Sequence, residues 1–264
     1  MKEKKIIFLK KNIYYSTIGK GLPVLLLHGF GEDSSVWDAQ VNHLKNIFYL
    51  IIPDLPGSGK SEMLPGKRRG MDDYAACIYK ILQQEKISKC VMIGHSMGGY
   101  ITLAFAEKYP AMLKAFGLFH SSAYADDAAK IIIRKKAIEF IKENGAAAFL
   151  KTSVPGLFFD KIKSKTHIKT LLEKGRSFKS EALMQYYEAM IQRPDRTAVL
   201  KKFKGKVLFI LGKNDMAVPF QYGLEQSYIP MQSYIYVLRN SAHMGMQEEI
   251  VKANKSLTDF LESL

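Results

Sequence analysis

The segment Gly94-His95-Ser96-Met97-Gly98 sets a serine between two glycines, directly after the apolar run Val91-Met92-Ile93. Gly-x-Ser-x-Gly in that setting predicts a strand that turns sharply through the serine into a helix, holding the hydroxyl clear of the sheet. The turn strains the serine backbone and doubles the chain back tightly, so its neighbours must be small. A serine hydroxyl is a poor nucleophile at neutral pH. It needs a base to take its proton and a third group to orient that base. The chemistry to look for is attack of Ser96 on an acyl carbon.

The chain has six histidines. His243, in Asn240-Ser241-Ala242-His243-Met244-Gly245, falls between the last expected strand and the last expected helix. That position is the carboxyl edge of the sheet, where open parallel sheets carry their sites. The serine turn also predicts the chain order serine, acid, histidine. His243 is the expected base, with His120 as its rival. Asp215 is the expected acid, because it follows the strand Val207–Leu211 in a loop bounded by Gly212 and Pro219. It would fix the tautomer of His243 and stabilise the imidazolium; its simpler role is an Asx turn within its own loop. Asp126 is the fallback acid. The developing oxyanion needs fixed donors. Met97 N–H, at the start of a helix, and Phe30 N–H, in His28-Gly29-Phe30-Gly31, are the expected pair. Activity should rise as the base loses its proton.

The elements that must position these groups alternate. Lys5–Lys10 and Ile13–Ile18 predict a hairpin, and Val24–Leu27, Tyr49–Ile52, Cys90–Ile93, Ala115–Phe119, Val207–Leu211 and Tyr234–Leu238 predict strands. Helices are expected over Val36–Leu44, Met71–Glu85, the stretch after Ser96 up to Tyr109-Pro110, and Gln247–Leu264. This rhythm implies an α/β fold, a mostly parallel central sheet with helices on both faces. Between Ser122 and Leu200 it breaks. Asp126–Glu143, Ile162–Lys174 and Glu181–Ile191 read as helices, with Val154-Pro155-Gly156 as a turn and no strand among them.

With 264 residues, 47% of them hydrophobic, the chain can bury a large core as one domain carrying an insertion. No apolar run is long enough to span a membrane, and the basic start lacks a signal-peptide hydrophobic region, so a cytoplasmic location is expected. Cys77 and Cys90 are the only cysteines and suggest neither a disulfide framework nor a metal site. The net charge of +14 comes mostly from dispersed lysines without a nucleic-acid-binding signature, so no nucleic-acid partner is expected. Lys201-Lys202-Phe203-Lys204-Gly205-Lys206 reads as a solvated connector into a strand. Asp54-Leu55-Pro56-Gly57-Ser58-Gly59-Lys60-Ser61 ends like a P-loop, but Asp54 stands where the motif needs glycine, so no nucleotide is implied.

Together, the His28-Gly29-Phe30-Gly31 loop, the Pro53–Ser61 turn, the serine turn and the Asp215 and His243 loops resemble the serine-nucleophile, carboxylesterase-like branch of the α/β-hydrolase fold superfamily. Serine at position 96 sets the chain apart from relatives that use aspartate there. The resemblance covers essentially the whole chain. It implies a hydrolase core over 1–121 and 200–264, an all-helical cap over 122–199, and no metal or organic cofactor. It implies hydrolysis of a small or medium carboxylic ester through an acyl-enzyme. The same machinery serves thioesterases, lactonases and carbon–carbon bond hydrolases, and some relatives are small-ligand receptors without turnover. Expected pocket residues are His28, His95, His120, Phe158, Phe159 and Tyr186, with Phe149, Leu157, Met184 and Tyr187 as further candidates. At helical spacing the same aromatic and methionine side chains would equally pack the cap on the core. The partner is a small ester-type molecule, and self-association into a homo-oligomer is left open.

Overall fold

A computed structural model describes residues 1–66 and 68–264. Strands β1 (Lys2–Phe8) and β2 (Lys11–Ile18) form an antiparallel hairpin. Its two-residue turn, Leu9-Lys10, has φ of +49° and +63°, a conformation that matches the twist of the flanking strands. The first strand therefore stops short of the expected Lys10. Next come β3 (Pro23–Leu27), α1 (Asp38–Leu44), β4 (Tyr49–Pro53), α2 (Met71–Gln84), β5 (Cys90–His95), α3 (Met97–Lys108) and β6 (Leu113–Phe119). The eight-stranded sheet has the order β1-β2-β4-β3-β5-β6-β7-β8, completed by β7 (Lys206–Gly212) and β8 (Ser233–Leu238). From β4 onward all pairings are parallel.

Every residue of β5 is buried, as are all but the first of β3 and β7. Strands buried on both faces need helices on both sides, which explains their continuous apolar sequences. α2 packs against α3, and α1 against the C-terminal α11 (Ile250–Glu262). The lysine-rich edge strand β1 remains exposed, which discourages edge-to-edge pairing with another chain. Among the described residues no helix is long and apolar enough to cross a membrane.

The helices α4 (Ala128–Asn144), α5 (Ala146–Ser153), α6 (Lys165–Gly175), α7 (Ser180–Gln192) and α8 (Thr197–Lys202) fill the segment between β6 and β7. The expected long helix starts two residues late because Asp127 caps it, accepting from Lys130 N–H at 2.7 Å. The helix expected from Ile162 begins at Lys165, since Asp160 holds the Ile162 and Lys163 N–H groups in a turn. Three helices were not anticipated: α5, set off by Gly145 at φ +86°, α8, and α9 (Phe220–Ser227). The final helix divides into α10 (Gly245–Glu248) and α11. The lysine-rich connector is partly buried. Phe203 is 7% exposed and packs its ring 4.8 Å from that of Phe116.

The insertion is anchored by polar contacts at several points. The Tyr186 hydroxyl on α7 donates to Pro56 O at 2.7 Å and lies 2.8 Å from Ser58 Oγ. Gln185 on the same helix donates to Gly66 O at 2.9 Å and accepts from the Tyr74 hydroxyl. Arg196 bridges Asp72 and Glu107. His243 N–H donates to Leu157 O at 2.9 Å, so the insertion also holds the loop of the expected base.

Candidate active site

Ser96 links β5 to α3 with φ +49° and ψ −116°, a strained backbone for a residue other than glycine. A side chain at Gly94 would strike the backbone of Gly98 and Gly99 within 2.4 Å. One at Gly98 would lie 2.4 Å from Leu27 O. The glycines are thus fixed by close approach of the turn to itself and to β3. The Ser96 N–H donates to Phe119 O at 3.0 Å, and Ser121 Oγ donates to Ser96 O at 2.7 Å, so neighbouring chain holds the strain in place. Among the described residues neither Phe30 N–H nor Met97 N–H has an acceptor within the protein. Both stand beside Ser96: Met97 follows it, and a side chain on Gly29 would lie 3.1 Å from Ser96 Cβ.

Asp215 follows β7 and His243 follows β8 at the same sheet edge. His243 Nδ1 and Asp215 Oδ2 are 2.8 Å apart and both side chains are buried. Asp215 Oδ1 accepts from the Ala217 and Val218 N–H groups at 2.8 and 2.9 Å. Burial alone would raise its carboxyl; the charge and hydrogen bond of His243 outweigh burial and hold it at about 2. An ionised Asp215 must accept from Nδ1–H, which leaves Nε2 of neutral His243 with the lone pair. His243 and Ser96 line the same cavity of about 410 Å³.

A second buried pair lies behind the first. His95 Nδ1 is 3.0 Å from Glu32 Oε2, and its Nε2 is 2.9 Å from the carbonyl oxygen of His243. Glu32 Oε2 also accepts from Gly29 N–H at 2.7 Å. Burial would neutralise both partners, yet each one's charge stabilises the other's. His95 is raised and Glu32 lowered. With a carboxylate at one nitrogen and a carbonyl at the other, His95 donates from both.

The α/β hydrolase fold family model matches residues 23–138. A thermophilic esterase from Thermogutta terrifontis superposes with a TM-score of 0.92 and is 26% identical, with 100% of this chain and 99% of that chain covered. A 2-hydroxy-6-oxononadienedioate/2-hydroxy-6-oxononatrienedioate hydrolase of Pseudomonas putida is 26% identical over 271 residues, covering 96% of this chain and 93% of that protein. An enol-lactonase from Burkholderia xenovorans shares the fold, with a TM-score of 0.90 at 19% identity over 98% of this chain and 100% of that one. The chain has the α/β-hydrolase fold.

In this hydrolase the fold brings Ser96, Asp215, His243, Phe30 and Met97 to one sheet edge, but it disposes of the expected pocket residues differently. None of His28, His95, His120, Phe158, Phe159 and Tyr186 lines the cavity. His28 is buried and spent on backbone: Nε2 accepts from Leu55 N–H at 2.9 Å, so Nδ1 carries the proton it donates to Gly29 O. His120 Nδ1 accepts from Gly212 N–H at 2.9 Å. Its 3.6 Å approach to Asp215 Oδ2 is therefore not an ion pair, and burial keeps the ring neutral, well below its ordinary range. That also removes His120 as a rival base. Phe158 is buried, while Phe159 points outward at 53% exposure. Tyr186 is buried on Ser58 and Pro56. The fallback acid Asp126 is engaged by Arg134 at 2.6 Å and Arg193 at 3.0 Å. Of the further candidates Leu157 and Tyr187 line the cavity and Phe149 and Met184 do not; Phe30, Met190 and Val218 are among the other lining residues. The P-loop-like turn wraps the Asp54 carboxylate, which accepts from Ser34 and Lys60 N–H.

Proposed function

We propose that the protein is a serine hydrolase that cleaves carboxylic esters through an acyl-enzyme. The observation that carries this reading is the 2.8 Å His243–Asp215 bond, with that histidine and the strained Ser96 on one cavity wall. His243 Nε2 takes the Ser96 proton as Oγ bonds to the ester carbonyl carbon. The carbonyl electron pair moves to oxygen, where the Phe30 and Met97 N–H groups receive it. Fixed donors of this kind contribute roughly 10²–10³ in rate each. As the tetrahedral species collapses, the carbon–oxygen bond to the alcohol breaks and imidazolium gives the alcohol its proton. Water repeats the sequence on the acyl-enzyme, releasing the acid and free Ser96. In this reading the helices of 122–199 act as a cap that excludes bulk water, and the two free buried cysteines suit a reducing cytoplasm.

A second reading, hydrolysis of a carbon–carbon bond beside a ketone or of a lactone, is favoured by the names of the Pseudomonas and Burkholderia proteins. Fluorophosphonate labelling tests the nucleophile. The wild-type chain should label and Ser96→Ala should not; equal labelling of both would end the proposal. Turnover of p-nitrophenyl esters against acyl thioesters, lactones and diketones then separates the substrate classes.

A further inference from the structure

The cavity beside Ser96 is apolar along Phe30, Leu157 and Met190 but carries a concentration of charge elsewhere. Lys130 and Arg134, on the first two turns of α4, line it together with Tyr100 on the first turn of α3. Arg134 and Arg193 share one carboxylate, that of Asp126. Arg193 also lies 3.8 Å over the Tyr100 ring. The Lys130 ammonium meets the Ala217 carbonyl at 2.8 Å rather than a carboxylate. Three cations thus face two carboxylates, because Asp127 also lines the cavity while its Oδ1 caps α4. Glu32, the remaining acid on the wall, is matched by His95.

The two arginines have a structural explanation, since with Asp126 they tie α4 to the end of α7. The Lys130 ammonium has no carboxylate partner and the Tyr100 hydroxyl has no hydrogen bond among the described residues. Tyr100 is 3% exposed as a residue and lies on the cavity wall. A hydroxyl that meets the cavity without a protein partner is available to a ligand. Burial should raise the phenol; the charges of Arg193, Lys130 and Arg134 outweigh it and leave the group lowered, so this part of the cavity has a positive potential.

We propose that Lys130 and Tyr100 form an anion-recognition subsite, and that the substrate is an ester carrying a free carboxylate elsewhere in the molecule. This rests on the serine-hydrolase reading. The carboxylate accepts from the Lys130 ammonium and the Tyr100 hydroxyl, while the apolar lining takes the intervening carbons. A charge-assisted contact of this kind corresponds to roughly ten- to a hundredfold in binding.

The test compares p-nitrophenyl butyrate with the mono-p-nitrophenyl ester of glutaric acid. The wild-type chain should favour the glutarate ester in kcat/KM by roughly tenfold or more. Lys130→Met should lose that preference, its fall in kcat/KM on the glutarate ester exceeding its fall on butyrate by roughly tenfold, Lys130→Arg should restore most of it, and Tyr100→Phe should show a smaller loss. Equal use of both esters by the wild type, or equal losses on both in Lys130→Met, would overturn the proposal. Glutarate itself gives a readout independent of turnover: it should raise the Tm of the wild-type chain and not that of Lys130→Met. A glutarate shift without any ester hydrolysis would sink the hydrolase reading and spare the subsite. Hydrolysis with neither preference nor shift would do the reverse.

Discussion

Two buried histidine–carboxylate pairs sit side by side, with ring centroids of His95 and His243 only 4.9 Å apart, and they differ in one respect. Both bond through Nδ1, at 3.0 Å to Glu32 and 2.8 Å to Asp215. In His95 the second nitrogen is closed by the His243 carbonyl. In His243 it is left for the cavity shared with Ser96. The same pair of functional groups therefore gives a structural clamp when both ring nitrogens are occupied and a proton acceptor when one is free. The clamp also touches three loops at once: Gly29 N–H beside Phe30, the residue before Ser96, and the backbone of the base.

The sharpest way to separate the two is to remove the negative charge from each. Asp215→Asn keeps an oxygen for the Ala217 and Val218 N–H groups but turns an NH₂ toward His243 Nδ1. The ring must then carry its proton on Nε2, facing Ser96, and cannot accept another. We expect kcat to fall roughly 10³–10⁴-fold with Tm little changed. Glu32→Gln should act the other way. Glu32 Oε2 accepts from both Gly29 N–H and His95; an amide oxygen can still accept both, but it lacks the negative charge that supports the buried His95 cation. The expected cost is about 1–3 kcal/mol in urea unfolding, with a much smaller fall in kcat. If Glu32→Gln lowered kcat as far as Asp215→Asn while unfolding normally, the clamp would belong to the proton chemistry.

Stability against pH sharpens the comparison further. Asp215 has a depressed carboxyl, so its contribution is complete above its ordinary 3.8 and is lost as pH falls through about 2. The difference corresponds to about 2 kcal/mol. His120 is also depressed, held neutral by burial, and its contribution is full above its ordinary 6.5 and declines as pH falls below that value, where the unfolded chain takes up a proton. His95 is raised, so its share is full below 6.5 and disappears as pH rises through its elevated folded value. Urea titrations from pH 3 to pH 9 should show loss on both sides. Replacing His120 by Asn should flatten the slope just below pH 6.5 alone; an unchanged slope there would remove His120 from the account.

The clearest sequence signals were the local ones. The strand, the glycines and the serine are contiguous, so their geometry is written in a few residues. Asp215 and His243 were placed by topology, because a parallel sheet brings every strand's carboxyl end to one edge. The clamp was not legible. Glu32 looks like any loop acid until the loop after β3 folds onto the residue before Ser96, and no periodicity reports that approach. Nor could the sequence choose between neighbours on a helix. Tyr186 and Tyr187 were both candidates for the pocket, and it is Tyr187 that lines the cavity, one residue and about 100° further round α7. In the same way Leu157 lines it and Phe158 does not. α5, α8 and α9 were missed because they are only eight, six and eight residues long, too short for their patterns to stand out from the surrounding chain.

The smallest expected effect concerns the nucleophile rather than either histidine. The Ser121 hydroxyl donates to the Ser96 carbonyl, which also accepts from Gly99 N–H at 2.9 Å. Ser121→Ala removes one of these donors and leaves the carbonyl bonded, so unfolding should be easier by about 0.5–1.5 kcal/mol. Because the Ser96 backbone is also held by its N–H bond to Phe119 and by the close-packed glycines, kcat should fall only a few-fold. A fall comparable to that of Asp215→Asn, at unchanged KM, would mean that the strained turn needs the Ser121 bond to stay in its reactive conformation. The decisive contrast would then lie between the serine turn and the histidines, and no longer between the open and closed rings.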